Sequence, residues 1–218
     1  MARPRVLLTG FGPYPGVAEN PSGWLAETLA TRNSRDCNLH AHVLPTEWKA
    51  VDALTPRLHE SVQPRVMIHF GVSPRAKTLR IEHSAYNRTA SRADERGAFA
   101  DTRAISPGGA MRLDTGLPVT RIAAHLRAQG IGAHSSRSCG RYLCNFLYYR
   151  SLQWAQDHRS DALFVHVPHP VSQDDPFSAD ALVHASEEIL RFVLDVTTGQ
   201  ETRPAQNLRA SHSEELRQ

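Results

Sequence analysis

Short apolar runs alternate along this chain with longer stretches in which apolar residues recur every three or four positions, the periods of buried strands and amphipathic helices. Arg5–Gly10 (RVLLTG) reads as a strand. Asn20-Pro21-Ser22 opens a helix that runs to Thr31, with Asn20 as its cap and Pro21 at the first helical position. Leu39–Leu44 is a second strand. Glu47–Ser61 has helical spacing, and Pro56 is expected to kink or divide it. Val66–Gly71 (VMIHFG) is apolar almost throughout, as in a central strand covered on both faces. From Asn87 to Thr115 no period is sustained, and Gly97, Pro107, Gly108 and Gly109 interrupt the stretch; a loop of that length inside a compact domain usually serves function. Val119, Ile122, Ala123 and Leu126 then mark one helix face, with Gly130 as a stop. A short strand over Gly132–Ser136, a helix over Tyr142–His158, a buried strand over Ala162–Val167 and a helix over Asp180–Val196 follow.

Strands that alternate with helices predict an α/β domain: a three-layer α/β/α sandwich around a mainly parallel sheet, with catalytic groups at the carboxyl ends of its strands. Nothing marks an internal linker, so residues 1–198 are expected to form one domain. The polar, aperiodic residues 199–218 are expected to be a mobile tail.

Composition narrows the function classes. The hydrophobic share is 40%, compatible with a packed core. No run approaches the roughly 18 apolar residues of a membrane helix, and the opening MARPRVLLTG reads as a first strand and not as a signal peptide. Three cysteines, an odd number, argue against a disulfide framework and for a reducing cytoplasm. The net charge is only +3, and among 25 basic residues Lys49 and Lys77 are the only lysines. The arginines are interspersed with acids and apolar residues, without the clustered basic face of a nucleic-acid binder.

Cys144 follows small residues and a glycine in SCGRYLCNFLYY, at the start of a helical pattern. A cysteine in a first helical turn feels the positive end of the helix dipole, which favours thiolate. His166, in FVHVP, lies at the carboxyl end of the next strand, where thiolate and imidazole can meet. Glu82, in LRIEHSAYN, can accept the imidazole N–H and fix its tautomer. Residue type alone decides none of this, since a buried Cys, a satisfied core His and a solvated Glu on an edge strand would read the same way. Cys139, Cys144, His166 and His169 also form a candidate zinc set, although structural zinc favours tighter cysteine pairs. Gly10, Gly12 and Gly16 suggest a phosphate-binding turn, but Pro13 and Pro15 remove the N–H donors such a cradle uses.

The words around these residues resemble the pyroglutamyl peptidase I family of cysteine peptidases. LLTGFGPYPGVAENPS resembles the family's opening strand, aromatic loop and Asn-Pro-Ser helix start; IHFGVSPRAKTLRIEHSAYN its catalytic Glu block; SSRSCGRYLCNFLYY its nucleophile word; and FVHVP its catalytic His word. TGLPVTRIAAHLRAQGIGA, before the nucleophile, resembles its Leu-Pro helix and Gly-Ile turn. The resemblance implies Cys144 as nucleophile, His166 as general base and acid, and Glu82 as the residue that orients it. The activity implied is removal of an amino-terminal pyroglutamyl (5-oxoprolyl) residue from peptides through a thioester, with no metal or organic cofactor. Phe11 and Tyr14 match the family's ring-binding aromatics, and Asn20 a position that organises the same pocket. A flat neutral lactam suits such aromatic faces. The resemblance further implies peptides with an amino-terminal pyroglutamyl residue as partners, and homo-oligomers, tetramers being common in bacterial relatives. Tyr14 stands where the family usually has Phe, and Cys139 and Arg141 where it has Ala and Thr; a family arginine expected shortly before Glu82 is approximated by Arg75. These departures define the alternative reading, a relative of the same fold with altered specificity or without activity that binds a small neutral ligand.

Overall fold

The structure, a computed structural model, describes residues 3–14, 17–32, 36–73, 76–169 and 177–199. The elements in chain order are β1 (Arg5–Phe11), α1 (Pro21–Thr31), β2 (Asn38–Leu44), α2 (Trp48–Val62), β3 (Val66–Val72), β4 (Leu79–Glu82), β5 (Ser84–Tyr86), β6 (Arg112–Asp114), α3 (Val119–Ala128), β7 (Ala133–Ser136), α4 (Leu143–His158), β8 (Asp161–Val167) and α5 (Ala179–Thr198). The anticipated tail beyond Gly199, together with Gly16 and Arg75, lies outside the described residues.

Six strands form one sheet in the order β2-β1-β3-β8-β4-β7. It is mainly parallel, as the alternation of elements predicts; β4 alone runs against its neighbour β8 while staying parallel to β7. Side chains alternate across the strands, so two separate cores result. Val6, Leu8, Ile68, Ile81, Leu163 and Val165 meet α1, α3 and α5 on one face. Leu7, Met67, Ala162 and Phe164 meet α2 and α4 on the other. β5 and β6 pair as a separate antiparallel ribbon that the sequence pattern did not reveal.

Helix α2 passes through Pro56 without a break. Pro56 is exposed, so the carbonyl it leaves unpaired one turn earlier faces solvent and needs no partner within the fold. Gly10, within β1, serves packing. A Cβ on Gly10 would stand 1.9 Å from the Ser22 carbonyl oxygen, so glycine lets the first turn of α1 rest directly on β1.

Candidate active site

The face of the sheet under α4 collects the chemistry. On β8, Phe164 and His166 share that face; on β4, Arg80 and Glu82 share it, because residues two apart point the same way. The antiparallel register sets Arg80 opposite His166 and Glu82 opposite Phe164, making Glu82 and His166 diagonal neighbours. His166 Nδ1 donates to Glu82 Oε1 at 2.8 Å. The reading of Glu82 as a solvated residue on an edge strand is thereby corrected: β4 lies between β8 and β7, and the carboxylate has no solvent exposure.

Arg80 explains how a carboxylate is tolerated there. Its Nη2 lies 3.1 Å from Glu82 Oε1 and also donates to Ser136 Oγ and the Ser138 carbonyl at 3.1 and 2.9 Å. One guanidinium thus joins the buried acid to the loop that precedes α4. Glu82 Oε2 is buried and has no hydrogen-bond partner among the described residues.

Cys144 occupies the first turn of α4, whose N-cap residue Tyr142 provides no side-chain cap, so the first-turn N–H groups, that of Cys144 included, point past the helix end. Cys144 Sγ rests over Gly71, which faces His166 across the β3–β8 register, so the sulfur stands beside the ring that Glu82 holds. Burial alone would lower the His166 pKa; the neighbouring Cys144 and the Glu82 carboxylate together more than offset burial and lift it to about 9. The arrangement is a thiol beside an imidazole held by a carboxylate, the constellation of nucleophilic acyl transfer.

The floor under the sulfur is Gly71, opposite His166 in the β3–β8 register. A Cβ at Gly71 would meet Phe164 Cζ at 2.8 Å and Cys144 Sγ at 3.0 Å. Phe164 is fully buried and has nowhere to retreat, so the sulfur must move. Gly71→Ala is expected to lower kcat/KM by on the order of 10²-fold, the scale of an ångström-sized misplacement of a reacting group. Steady-state kinetics check this, and a loss below threefold would show that the site accommodates the methyl group.

Of the other sequence-derived residues, Phe11 is buried at the end of β1. With Asn20, Trp24, His169 and Asp180 it lines an open cleft of about 830 Å³. Asn20 braces the loop: its Oδ1 accepts from the Ser22 N–H and Oγ at 3.1 and 2.8 Å, and its Nδ2 donates to the Gly12 carbonyl at 2.9 Å. Tyr14 is half-buried, and its phenol pKa is raised by burial and by nearby Cys144, with Arg92 acting in the opposite sense. The structure therefore brings Tyr14 within electrostatic reach of Cys144.

Arg92 and Tyr142 were not singled out from the sequence. The Arg92 guanidinium lies 4.7 Å from the centre of the Tyr142 ring, and both Tyr14 and Tyr142 sense Arg92 and Cys144. The loop carrying Arg92 is tied to α2, where the Trp48 indole N–H donates to the Arg92 carbonyl at 3.2 Å and the Trp48 backbone N–H to Asp94 Oδ2 at 3.0 Å. The signal for Arg92 was the long aperiodic stretch; for Tyr142 it was its place two residues before Cys144.

Cys139 is buried against the Ser84 carbonyl and Asn145, and burial followed by the charge of Glu82 pushes its thiol pKa well up. It stays a protonated thiol and does not rival Cys144. His169 Nε2 faces the Glu19 carbonyl at 3.0 Å while His166 is engaged by Glu82. The described residues contain no group of three His, Cys, Asp or Glu side chains able to hold a metal ion, so the zinc set does not assemble among them.

The family model described as "Pyroglutamyl peptidase" matches residues 4–177. Human pyroglutamyl-peptidase 1 is 33% identical over 204 residues, covering 90% of this chain and 93% of that protein. The pyrrolidone-carboxylate peptidase of Pyrococcus furiosus is 31% identical over 168 residues, covering 76% and 81%. Among solved structures, pyrrolidone carboxyl peptidase from Thermococcus litoralis superposes with a TM-score of 0.83 at 26% identity, over 91% of this chain and 96% of that one. Bacillus amyloliquefaciens pyroglutamyl peptidase I gives a TM-score of 0.78 at 27% identity, over 86% and 95%.

Proposed function

The chain belongs to the pyroglutamyl peptidase family, and from that premise we propose that Cys144, His166 and Glu82 carry the family's reaction, hydrolysis of the bond that follows an amino-terminal pyroglutamyl residue. The observation that carries this reading is the hydrogen bond from His166 to the buried Glu82 carboxylate, with Cys144 beside the same ring on one face of the sheet.

The steps follow from the groups present. The Cys144 thiolate adds to the pyroglutamyl carbonyl carbon, and the carbonyl oxygen takes the negative charge. First-turn N–H groups of α4, including that of Cys144, are the donors for that oxyanion, and Arg92 adds positive charge beside the site. As the C–N bond breaks, the His166 imidazolium gives its proton to the departing amine and a thioester remains. His166, now neutral, takes a proton from water as the water attacks the thioester. Collapse releases 5-oxoproline and regenerates the thiolate–imidazolium pair. Glu82 accepts the Nδ1 hydrogen throughout, keeping the other ring nitrogen turned toward sulfur.

We assign ring recognition to Phe11, at the end of β1, and to Tyr14, on the loop that Asn20 holds in shape. A lactam carries no ammonium group, so aromatic faces serve it better than a carboxylate would. A working thiolate suits a reducing compartment, and we place the chain in the cytoplasm on that ground.

The test is release of a fluorogenic amine from a pyroglutamyl amide, beside the prolyl and alanyl amides as comparators. The reduced wild type is expected to cleave the pyroglutamyl amide at least about tenfold faster than either comparator, since the comparators bring an ammonium to a site built for a neutral ring. Iodoacetamide is expected to stop the reaction. A folded, reduced protein that leaves the pyroglutamyl amide intact overturns the assignment and favours the ligand-binding relative.

A further inference from the structure

A second chain of buried polar groups runs beneath the site and has no part in the steps above. Thr9 on β1 and His69 on β3 are direct neighbours in the parallel register, and Thr9 Oγ1 is 2.8 Å from His69 Nδ1. The other nitrogen, His69 Nε2, is 2.9 Å from Ser151 Oγ on α4. Ser151 Oγ lies in turn 3.1 Å from His59 Nε2 on α2. All four residues are buried. Burial, followed by the charge of His158 for His59 and of His59 for His69, lowers the two imidazoles to about 4 and about 3, so both are neutral at ordinary pH. A hydroxyl between two neutral imidazoles can accept from one N–H while donating to the other, which suits Ser151 and explains why the position is polar.

Helix geometry connects this chain to the nucleophile. Ser151 follows Cys144 by seven residues, two turns of helix, so both project from the same face of α4 roughly 10 Å apart. Their counterparts on β3 are two residues apart and share a face as well. Cys144 Sγ rests over Gly71, and Ser151 bonds His69. The helix therefore runs back along β3 and is fixed to it at two places. At the Gly71 end the contact is only van der Waals, which limits approach without setting position along the axis. At the His69 end it is a directional hydrogen bond, and slippage of α4 would break it inside the core, where an unmet imidazole or hydroxyl finds no water to replace its partner.

We propose that Thr9, His69, Ser151 and His59 form a positioning device that fixes α4 along β3 and thereby sets the distance between the Cys144 sulfur and the His166 ring. The proposal rests on Cys144 as the nucleophile and assigns these four residues no contact with substrate. An apolar contact would hold α4 down equally well; the directional bonds add the axial register, a role attested for buried polar groups in other helical assemblies.

The test uses Ser151→Ala in the full chain. Expected are a fall in kcat of about tenfold, KM within about twofold, and an upward displacement, by about half a pH unit or more, of the pH dependence of Cys144 alkylation by iodoacetamide, because a lengthened sulfur–imidazole contact weakens the ion pair. Leu152→Ala, on the same helix but outside the polar chain, is the comparator: it should lower Tm and leave the alkylation profile in place. Should Ser151→Ala fail to fold, Thr9→Val, which keeps the side-chain shape and removes one hydrogen bond, is expected to displace the profile in the same direction. Superposition of the folded variant's profile on that of the wild type overturns the proposal, as does an equal displacement in Leu152→Ala. Alkylation needs no substrate, so a wild type inactive on pyroglutamyl amides would sink the functional assignment and still leave this readout able to decide.

Discussion

Replacing Cys144 with serine lowers kcat/KM on a pyroglutamyl amide by on the order of 10³-fold or more, in line with the loss of any nucleophile whose partners were arranged around it. The reason lies in what the neighbours are built to stabilise. His166 and Glu82 are placed to stabilise negative charge on the sulfur, and His166 itself keeps its proton up to about pH 9. A serine hydroxyl ionises far less readily than a thiol. Its oxygen also sits closer to the helix than sulfur did, away from the ring. The fold should be unaffected, since the side chain is only partly buried and the exchange is nearly isosteric. Cys139 cannot substitute, being buried with its thiol pKa raised. Steady-state assays of both proteins, with matched thermal melts, settle the matter. Residual activity within tenfold of wild type would remove Cys144 from the nucleophile's place.

Period and punctuation made most of the architecture legible. The helix faces around Val119, Ile122, Ala123 and Leu126 and around Leu182, Ala185 and Ile189 are buried as their spacing predicts. The cap at Asn20 forms because an Asn before Pro-Ser has few better uses for its amide. Strand partnership was not legible. LRIE shows a charge at every second position, which locally describes one solvated face; only its insertion between β8 and β7 turns that face toward α4 and makes Arg80 and Glu82 interior. A diagonal contact across antiparallel strands is a property of register, and register is set by the whole sheet. The same holds for Arg92, which reaches the site because Trp48 and Asp94 fasten its loop to α2, not because of anything in its neighbouring residues. Residue types at the site could be nominated from their words, whereas their mutual distances depended on pairings far apart in the chain.

Glu82→Gln isolates the charge from the geometry. The amide oxygen can take the position of Oε1 and still accept the Nδ1 hydrogen, so the ring keeps its orientation while the negative charge is lost. Burial then acts on His166 with only the sulfur to oppose it, and its pKa falls from about 9 toward or below the ordinary value of 6.5. Less of the protein holds a protonated His166 beside Cys144 at neutral pH, and kcat/KM is expected to drop by about 10²- to 10³-fold. The sign of the stability effect is also fixed. A His whose folded pKa is raised contributes stability that is fully present below 6.5 and is lost as pH rises through about 9. The wild type should therefore lose Tm between neutral pH and pH 9 from this titration, and Glu82→Gln should lose much less over the same interval. Arg80 would meanwhile face an uncharged amide, leaving its positive charge held only by Ser136 Oγ and the Ser138 carbonyl. The overall Tm of the variant is accordingly expected below that of the wild type at pH 6. Melting curves across the pH range, together with iodoacetamide alkylation profiles, measure both effects. If the two proteins share one alkylation profile, Glu82 contributes orientation without charge, and the account of the raised His166 pKa is wrong.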